Sequence, residues 1–236
     1  MATDTTKGFI RMHEEWEHDN INTSAANGVR WLITADNSGT FAVSDSAELQ
    51  AASVTGAADN NMNEIAHRLV WRAQDGMMSM EARVDLTDIT TTAVNIGFNH
   101  AVGAACNTLP VELSGTTFTS NASTFVGFVF DTDATNDNWH AFMVDDCADT
   151  TVAIACLNTG IAPVNNEPQT FKVVVYDQQA CNQTRADFLI DGVIQLTMTS
   201  AIDRDVLLTP HIASENRACS ARTMNVHYVT TVKTRP

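Results

Sequence analysis

The stretch MEARVDL, residues 80–86, places Met80, Ala82, Val84 and Leu86 on one side of an extended chain. Glu81, Arg83 and Asp85 fall on the other. A strict two-residue period marks a strand with one face buried and one wet. The pattern recurs. TAVNIGF (92–98) aligns Val94, Ile96 and Phe98, and FKVVVYD (171–177) aligns Phe171, Val173 and Val175. MNVHYVTTV (224–232) aligns Met224, Val226, Tyr228 and Val232. FVGFVF (125–130) is apolar on both faces, which suits a central strand covered on both sides.

Turn signals punctuate these runs at Asn37-Ser38-Gly39, Asp75-Gly76, Asn165-Asn166-Glu167-Pro168 and Asp191-Gly192. The best helix candidate is AADNNMNEIAHRL (57–69), and its asparagines weaken it. Many short strands with almost no helix predict an all-β fold, a two-sheet antiparallel β-sandwich. One hairpin can be set in register. In RADFLIDGVIQLTM (185–198), a two-residue loop would pair Phe188 with Gln195 and send the apolar residues to opposite faces. A three-residue loop, Ile190-Asp191-Gly192, pairs Phe188 with Ile194 and Ala186 with Leu196. It needs a left-handed residue at Gly192, so the three-residue loop is predicted.

The 236 residues fit one domain. Residues 1–20 read as a polar N-terminal arm, with Phe9, Ile10 and Trp16 as its contacts to a partner. Residues 21–236 form the sandwich, with a long excursion near 101–122 that lacks clean alternation. No repeat, low-complexity tract or linker stands out.

Acidic residues outnumber basic ones 28 to 13, a formal charge of -15. That argues against a phosphate-binding surface and against docking on anionic lipid, so neither nucleic acid nor membrane is an expected partner. The N-terminus shows no signal-peptide core, and no run is long enough to span a bilayer. Five cysteines with no CxxC pair read as reduced, packed thiols. The Asn-x-Ser/Thr matches at Asn22, Asn121 and Asn182 read as chance.

The acidic stretch after FVGFVF offers Asp131, Asp133 and Asp137 as calcium ligands. Counted as an EF-hand loop it fails, with Asn136 at the glycine position and Phe142 at the bidentate acid. A solvated turn is the competing reading and the favoured one. Glu81, Asp85 and Asp88 are the acids a glycosidase pair would draw on. Arg83 between Glu81 and Asp85 makes a charge-balanced solvent face, and no second catalytic acid is identifiable. The seven histidines show no metal spacing, and no nucleophile or phosphate-loop motif occurs. No catalytic residue and no resident cofactor are expected. Trp31, Trp71 and Trp139 lie in apolar runs and are expected in the core.

In order, VGFVFDTDATNDNWHAFMV, TFKVVVYD, ADFLIDGV and LLTPHIASENRACSARTMNVHYVTTVKTR, together with MEARVDL and VNIGF, cover most of the chain. This series resembles the concanavalin A-like (laminin-G-like) jelly-roll module of tailed-phage virion proteins. The resemblance implies two packed antiparallel sheets with first and last strands adjacent. It implies a non-enzymatic virion structural protein that decorates or cements the outer surface of the head. Such a protein is made in the host cytoplasm, with the major capsid protein lattice and copies of itself as partners. The alternative is a carbohydrate-binding, lectin-like module of a tail fibre or adhesion device, with glycan as ligand.

Overall fold

The structure is a computed structural model. It describes residues 8–16, 21–22, 31–44, 49–68, 70–101, 108–145, 148–149, 158–179 and 183–234. In chain order the first strands are β1 (Phe9–Glu14), β2 (Ile21–Asn22), β3 (Trp31–Ala35), β4 (Thr40–Ser44), β5 (Gln50–Val54) and β6 (Met62–Ala66). Then come β7 (Met78–Leu86), β8 (Thr92–Asn99), β9 (Val111–Ser114), β10 (Thr117–Ser120), β11 (Phe125–Asp131) and β12 (His140–Asp145). The last are β13 (Ala148–Asp149), β14 (Gln169–Gln178), β15 (Gln183–Ile190), β16 (Val193–Asp203), β17 (Thr209–Asn216) and β18 (Thr223–Thr234). One 3-10 turn, Ala73–Asp75, lies between β6 and β7.

Two sheets pack face to face. The first runs β16-β15-β14-β7-β18-β5-β4, with β1 paired to the C-terminal half of β18. The second runs β13-β12-β11-β8-β17-β6-β3-β2. The fold is a two-sheet antiparallel β-sandwich, and the first and last strands are neighbours as expected.

The alternation read from the sequence builds the core. Met80, Ala82, Val84, Leu86, Phe171, Val173 and Val175 line the inner face of the first sheet. Val94, Ile96, Phe98, Val126, Phe128 and Phe130 answer from the second, all in one buried cluster. Trp31, Trp71 and Trp139 join it as expected. Every residue of β11 is buried. Its outward residues Phe125 and Val129 pack under β9 and β10, with Val111, Leu113 and Phe118. That explains why FVGFVF is apolar on both faces.

Several expectations are corrected. The weak helix candidate at 57–69 holds no helix among its described residues: a turn leads into β6, whose five residues are all buried between β3 and β17. Tertiary pairing overrides a weak local preference there. Asn63 settles it: its amide donates to the Thr40 and Val54 carbonyls (3.1 and 2.7 Å), tying β6 to the opposite sheet. Gly39 clears this amide, since a Cβ there would sit 2.1 Å from the Asn63 oxygen.

The hairpin at 185–198 closes through two residues, not three. Asp191 and Gly192 both have positive φ (50° and 79°), the pattern of a type I′ turn, and Ile190 pairs with Val193. The parity problem is solved one step later. A bulge lets Leu189 face Ile194 while Phe188 faces Leu196, so Gln195 is the extra residue. A second register shift, between Val226 and Tyr228, places His227 as the odd residue of β18. It turns Val229 and Thr231 inward and leaves Tyr228 and Val232 off the buried face.

The described part of the 1–20 segment is not a free arm. Residues 9–14 are a strand of the first sheet, and Trp16 is fully buried against Trp31 and Phe41. Trp16 is therefore a core clasp rather than an exposed partner contact. Phe9 remains 45% exposed and Ile10 is half-buried. Within the 101–122 excursion, residues 111–120 form the β9–β10 hairpin. Cys219, the cysteine among the described residues, is exposed and unpaired rather than packed. The other four, and sequon residue Asn182, lie outside the described side chains, as does that of Asn22.

Candidate functional site

The second sheet turns its outer face toward the β9–β10 hairpin. On that face Asn95 (β8), Asp131 (β11) and Glu215 (β17) are all buried, at 0, 0 and 1% exposure. Asp131 lies beside Ala93 on one flank of β8, and Glu215 beside the same residue on the other. Polar groups this deep require partners, and each of the three has one that builds the site.

Asn95 makes a two-way amide clamp on β9. Its Nδ2 donates to the Val111 carbonyl and its Oδ1 accepts from the Val111 N–H, both at 3.0 Å. Asp131 accepts from the Leu113 N–H at 3.1 Å and so holds the same strand two residues further on. Replacing Asn95 by leucine leaves both Val111 groups unpaired, and a loss of about 2–3 kcal/mol is expected. Urea unfolding followed by tryptophan fluorescence measures it, and a change under 0.5 kcal/mol would refute the clamp.

Arg217 lies two residues beyond Glu215, so its side chain returns to the same face. Its guanidinium forms a fork on Asp131, Nε to Oδ1 at 3.1 Å and Nη2 to Oδ2 at 2.5 Å. Its remaining Nη1 binds Glu215. The Arg217 side chain is only 7% exposed. A bidentate Arg–carboxylate pair in such a dry place is strong in geometry and costly to break.

Beside this triad opens a cavity of about 340 Å³, the size class of a small-ligand pocket. Its walls come from distant parts of the chain: Asn60 before β6, Glu112 and Ser114 on β9, Asp133 after β11, and Glu215 with Arg217. Thr108, Leu113 and Thr119 complete the lining.

The charge balance is lopsided. Burial pushes the Glu215 carboxyl up to about 7, opposed by Arg217 and reinforced by Glu112 and Asp131. Asp133 is also raised, by burial and then by Asp131. Folding therefore takes up a proton at Glu215, and this stabilisation fades as pH rises from about 4.5 through about 7. His211, fully buried on the same strand, is pushed down to about 3 by burial. Its contribution has the opposite sign, present above about 6.5 and lost as pH falls. Comparing the protein with Glu215→Gln cancels the histidines. From pH 5 to 8 the stability difference is expected to move against the unsubstituted protein by about 2 kcal/mol. Denaturation curves at both pH values test this, and parallel pH profiles would refute it.

The calcium candidates are separated by this arrangement. Asp131 is fully buried, with its oxygens on Arg217 and on the Leu113 and Asp133 amides. Asp133 has a 56% exposed side chain, 4.0 Å from Arg217. Asp137 is exposed on the loop. Among the described residues no group of three or more His, Cys, Asp or Glu is placed to hold a metal ion. The guanidinium sits where a cation between Asp131 and Glu215 would be.

The Glu81, Asp85 and Asp88 set belongs to the opposite sheet. Glu81 binds Lys172 (3.0 Å) and Tyr228 (3.0 Å), Asp85 binds His227 (2.7 Å), and Asp88 caps Thr90. Glu81 and Asp85 are cross-strand partners and Asp88 caps a turn; the expected solvent face balanced by Arg83 is corrected at Asp85, which is buried against His227. Sequence reasoning missed Glu112, Glu215, Arg217 and Asn60. One signal was present: in HIASEN the outward positions are His211, Ala213 and Glu215, within a strand that is buried throughout. An acid in such a strand needs a dedicated partner.

No protein-family model and no curated protein matches the chain. Solved structures do. A protein of unknown function from Shewanella oneidensis MR-1 aligns over 100% of this chain and 90% of its own, at 10% identity and a TM-score of 0.62. The Emp47p carbohydrate recognition domain aligns over 89% and 92%, at 9% identity and 0.58. An endo-β-1,4-glucuronan lyase from the fungus Trichoderma reesei aligns over 86% and 90%, at 11% identity and 0.58. At these identities the likeness is one of fold, and this chain has the concanavalin A-like jelly-roll fold.

Proposed function

We propose that this chain is a non-enzymatic carbohydrate-binding module carried on a tailed-phage particle. The observation behind it is the pocket beside the β9–β10 hairpin. It is small and concave, and its walls are rich in hydroxyl, amide and carboxylate groups suited to sugar hydroxyls. Emp47p, of the same fold, carries a carbohydrate recognition domain. Binding rather than catalysis is favoured by the state of Glu215, whose carboxyl is engaged by Arg217 and the Leu109 amide. Calcium is not needed in this reading, because Arg217 already supplies positive charge between the acids. A glycan array read with and without a chelator tests it. Saturable binding indifferent to the chelator is expected, and an empty array would overturn it.

The sequence resemblance carries the second reading, a head decoration or cement protein bound to the major capsid lattice and to copies of itself. The favouring feature is the β15–β16 tip, where Val193 and Ile194 are 61% and 56% exposed on adjacent positions. Exposed aliphatic residues on a hairpin tip suit a protein contact. Immunogold labelling of particles tests the placement. Regular labelling over the head supports it, labelling at the tail tip moves the module to host recognition, and unlabelled particles overturn both placements.

A further inference from the structure

The charges around the pocket say which sugars it takes. Glu112, Asp133 and Glu215 contribute to its walls, and Asp131 lies directly behind Arg217. Four carboxyl groups thus share one guanidinium. That guanidinium is not open to a ligand: Nε and Nη2 are committed to Asp131, Nη1 to Glu215, and the side chain is 7% exposed. Among the described residues lining the cavity there is no lysine, histidine or second arginine. A ligand carboxylate would enter a small, partly dry space facing like charges with no free cation to meet it. Such burial of an unpaired anion is strongly unfavourable. Sugar hydroxyls and ammonium groups, in contrast, are donors, and Glu112 and Asp133 are acceptors without a cation fully occupying them.

We propose that the pocket selects sugar units that present hydroxyl or ammonium donors, and excludes uronates, sialates and other acidic sugars. This rests on the carbohydrate-binding reading above and names the ligand class of that same site. It also separates the chain in substrate chemistry from the fold-related lyase that acts on glucuronan.

The test is calorimetric titration of the intact protein with three probes of similar length. These are chitosan oligomers (free amine), chitin oligomers (neutral) and polyglucuronate oligomers (acidic). The amine-bearing or the neutral probe is expected to bind at least about tenfold tighter than the acidic one. The double variant Glu112→Gln with Asp133→Asn is expected to narrow that ratio by about tenfold. Both positions reach the surface, and circular dichroism with an unfolding curve checks that the variant is folded. Binding of polyglucuronate as tightly as the other probes would overturn this selectivity while leaving carbohydrate binding intact. An unchanged ratio in the folded variant would overturn the assignment to Glu112 and Asp133. Binding of none of the three, with an empty glycan array, would overturn both the selectivity and the reading beneath it.

Discussion

Arg217→Ala is expected to destabilise the protein by about 3–5 kcal/mol at pH 8, the range for removing one partner of a buried ion pair. The reason is specific to this face of the sheet. Asp131 is fully buried and Glu215 is 1% exposed, and both depend on the same guanidinium. Without it two carboxylates remain in a dry place. Urea unfolding at pH 8 and 25 °C measures the loss. At pH 5.5 the loss is expected to shrink, because Glu215 then takes a proton and needs the guanidinium less. A loss below 1 kcal/mol at pH 8, or one that does not depend on pH, would show that the triad is not the electrostatic centre described.

Phe128→Ala is expected to cost a similar amount, about 3–5 kcal/mol, by a different route. Phe128 is fully buried and points from β11 into the opposite sheet. Its ring meets Phe171 at 5.3 Å and Phe188 at 5.7 Å, both edge-on. Alanine would leave a cavity between two strands that pack rigidly, and no neighbouring backbone can close it. This loss should not depend on pH between 5.5 and 8, which separates it from the Arg217 effect. Phe9→Ala, at a 45% exposed position, is the control and should change stability by under 0.5 kcal/mol. A Phe128→Ala loss no larger than that of the control would contradict the placement of the core.

The sandwich was legible because its signal is local and repeated. Met80, Ala82, Val84 and Leu86 needed only a two-residue period to declare their face, and they lie buried as that period requires. What failed were places where one extra residue shifts the count. Gln195 and His227 are bulge residues, and nothing in their identity marks them. The parity argument at the hairpin rightly demanded an odd residue, but hydrophobic pattern alone cannot say whether it lies in the turn or beside it. The segment 57–69 gave only a weak helical signal and no strand signal, because Met62, Asn63 and Glu64 have no strong strand preference. Their conformation is set by β3 and β17, which are far away in sequence.

The candidate site was largely illegible for the same reason. Asn60, Glu112, Asp133 and Glu215 converge from four separate segments. Of these four only Asp133 carries a sequence signal, as one acid of the stretch after FVGFVF, and for a different role. Asp131 reads in the sequence as an acid in a loop, yet it ends a buried strand, and its partner is 86 residues away. Electrostatic partners at that separation leave no trace in a linear pattern.

The pairing of β1 with β18 has a mechanical consequence. Phe9 lies opposite Thr234, and the ladder continues inward to Glu14 opposite Val229. A pulling force applied at Phe9 and Thr234 would load these rungs one after another rather than all at once. The seam would open like a zipper at low force until it reached Trp16, whose buried ring is the first point at which the whole sandwich resists.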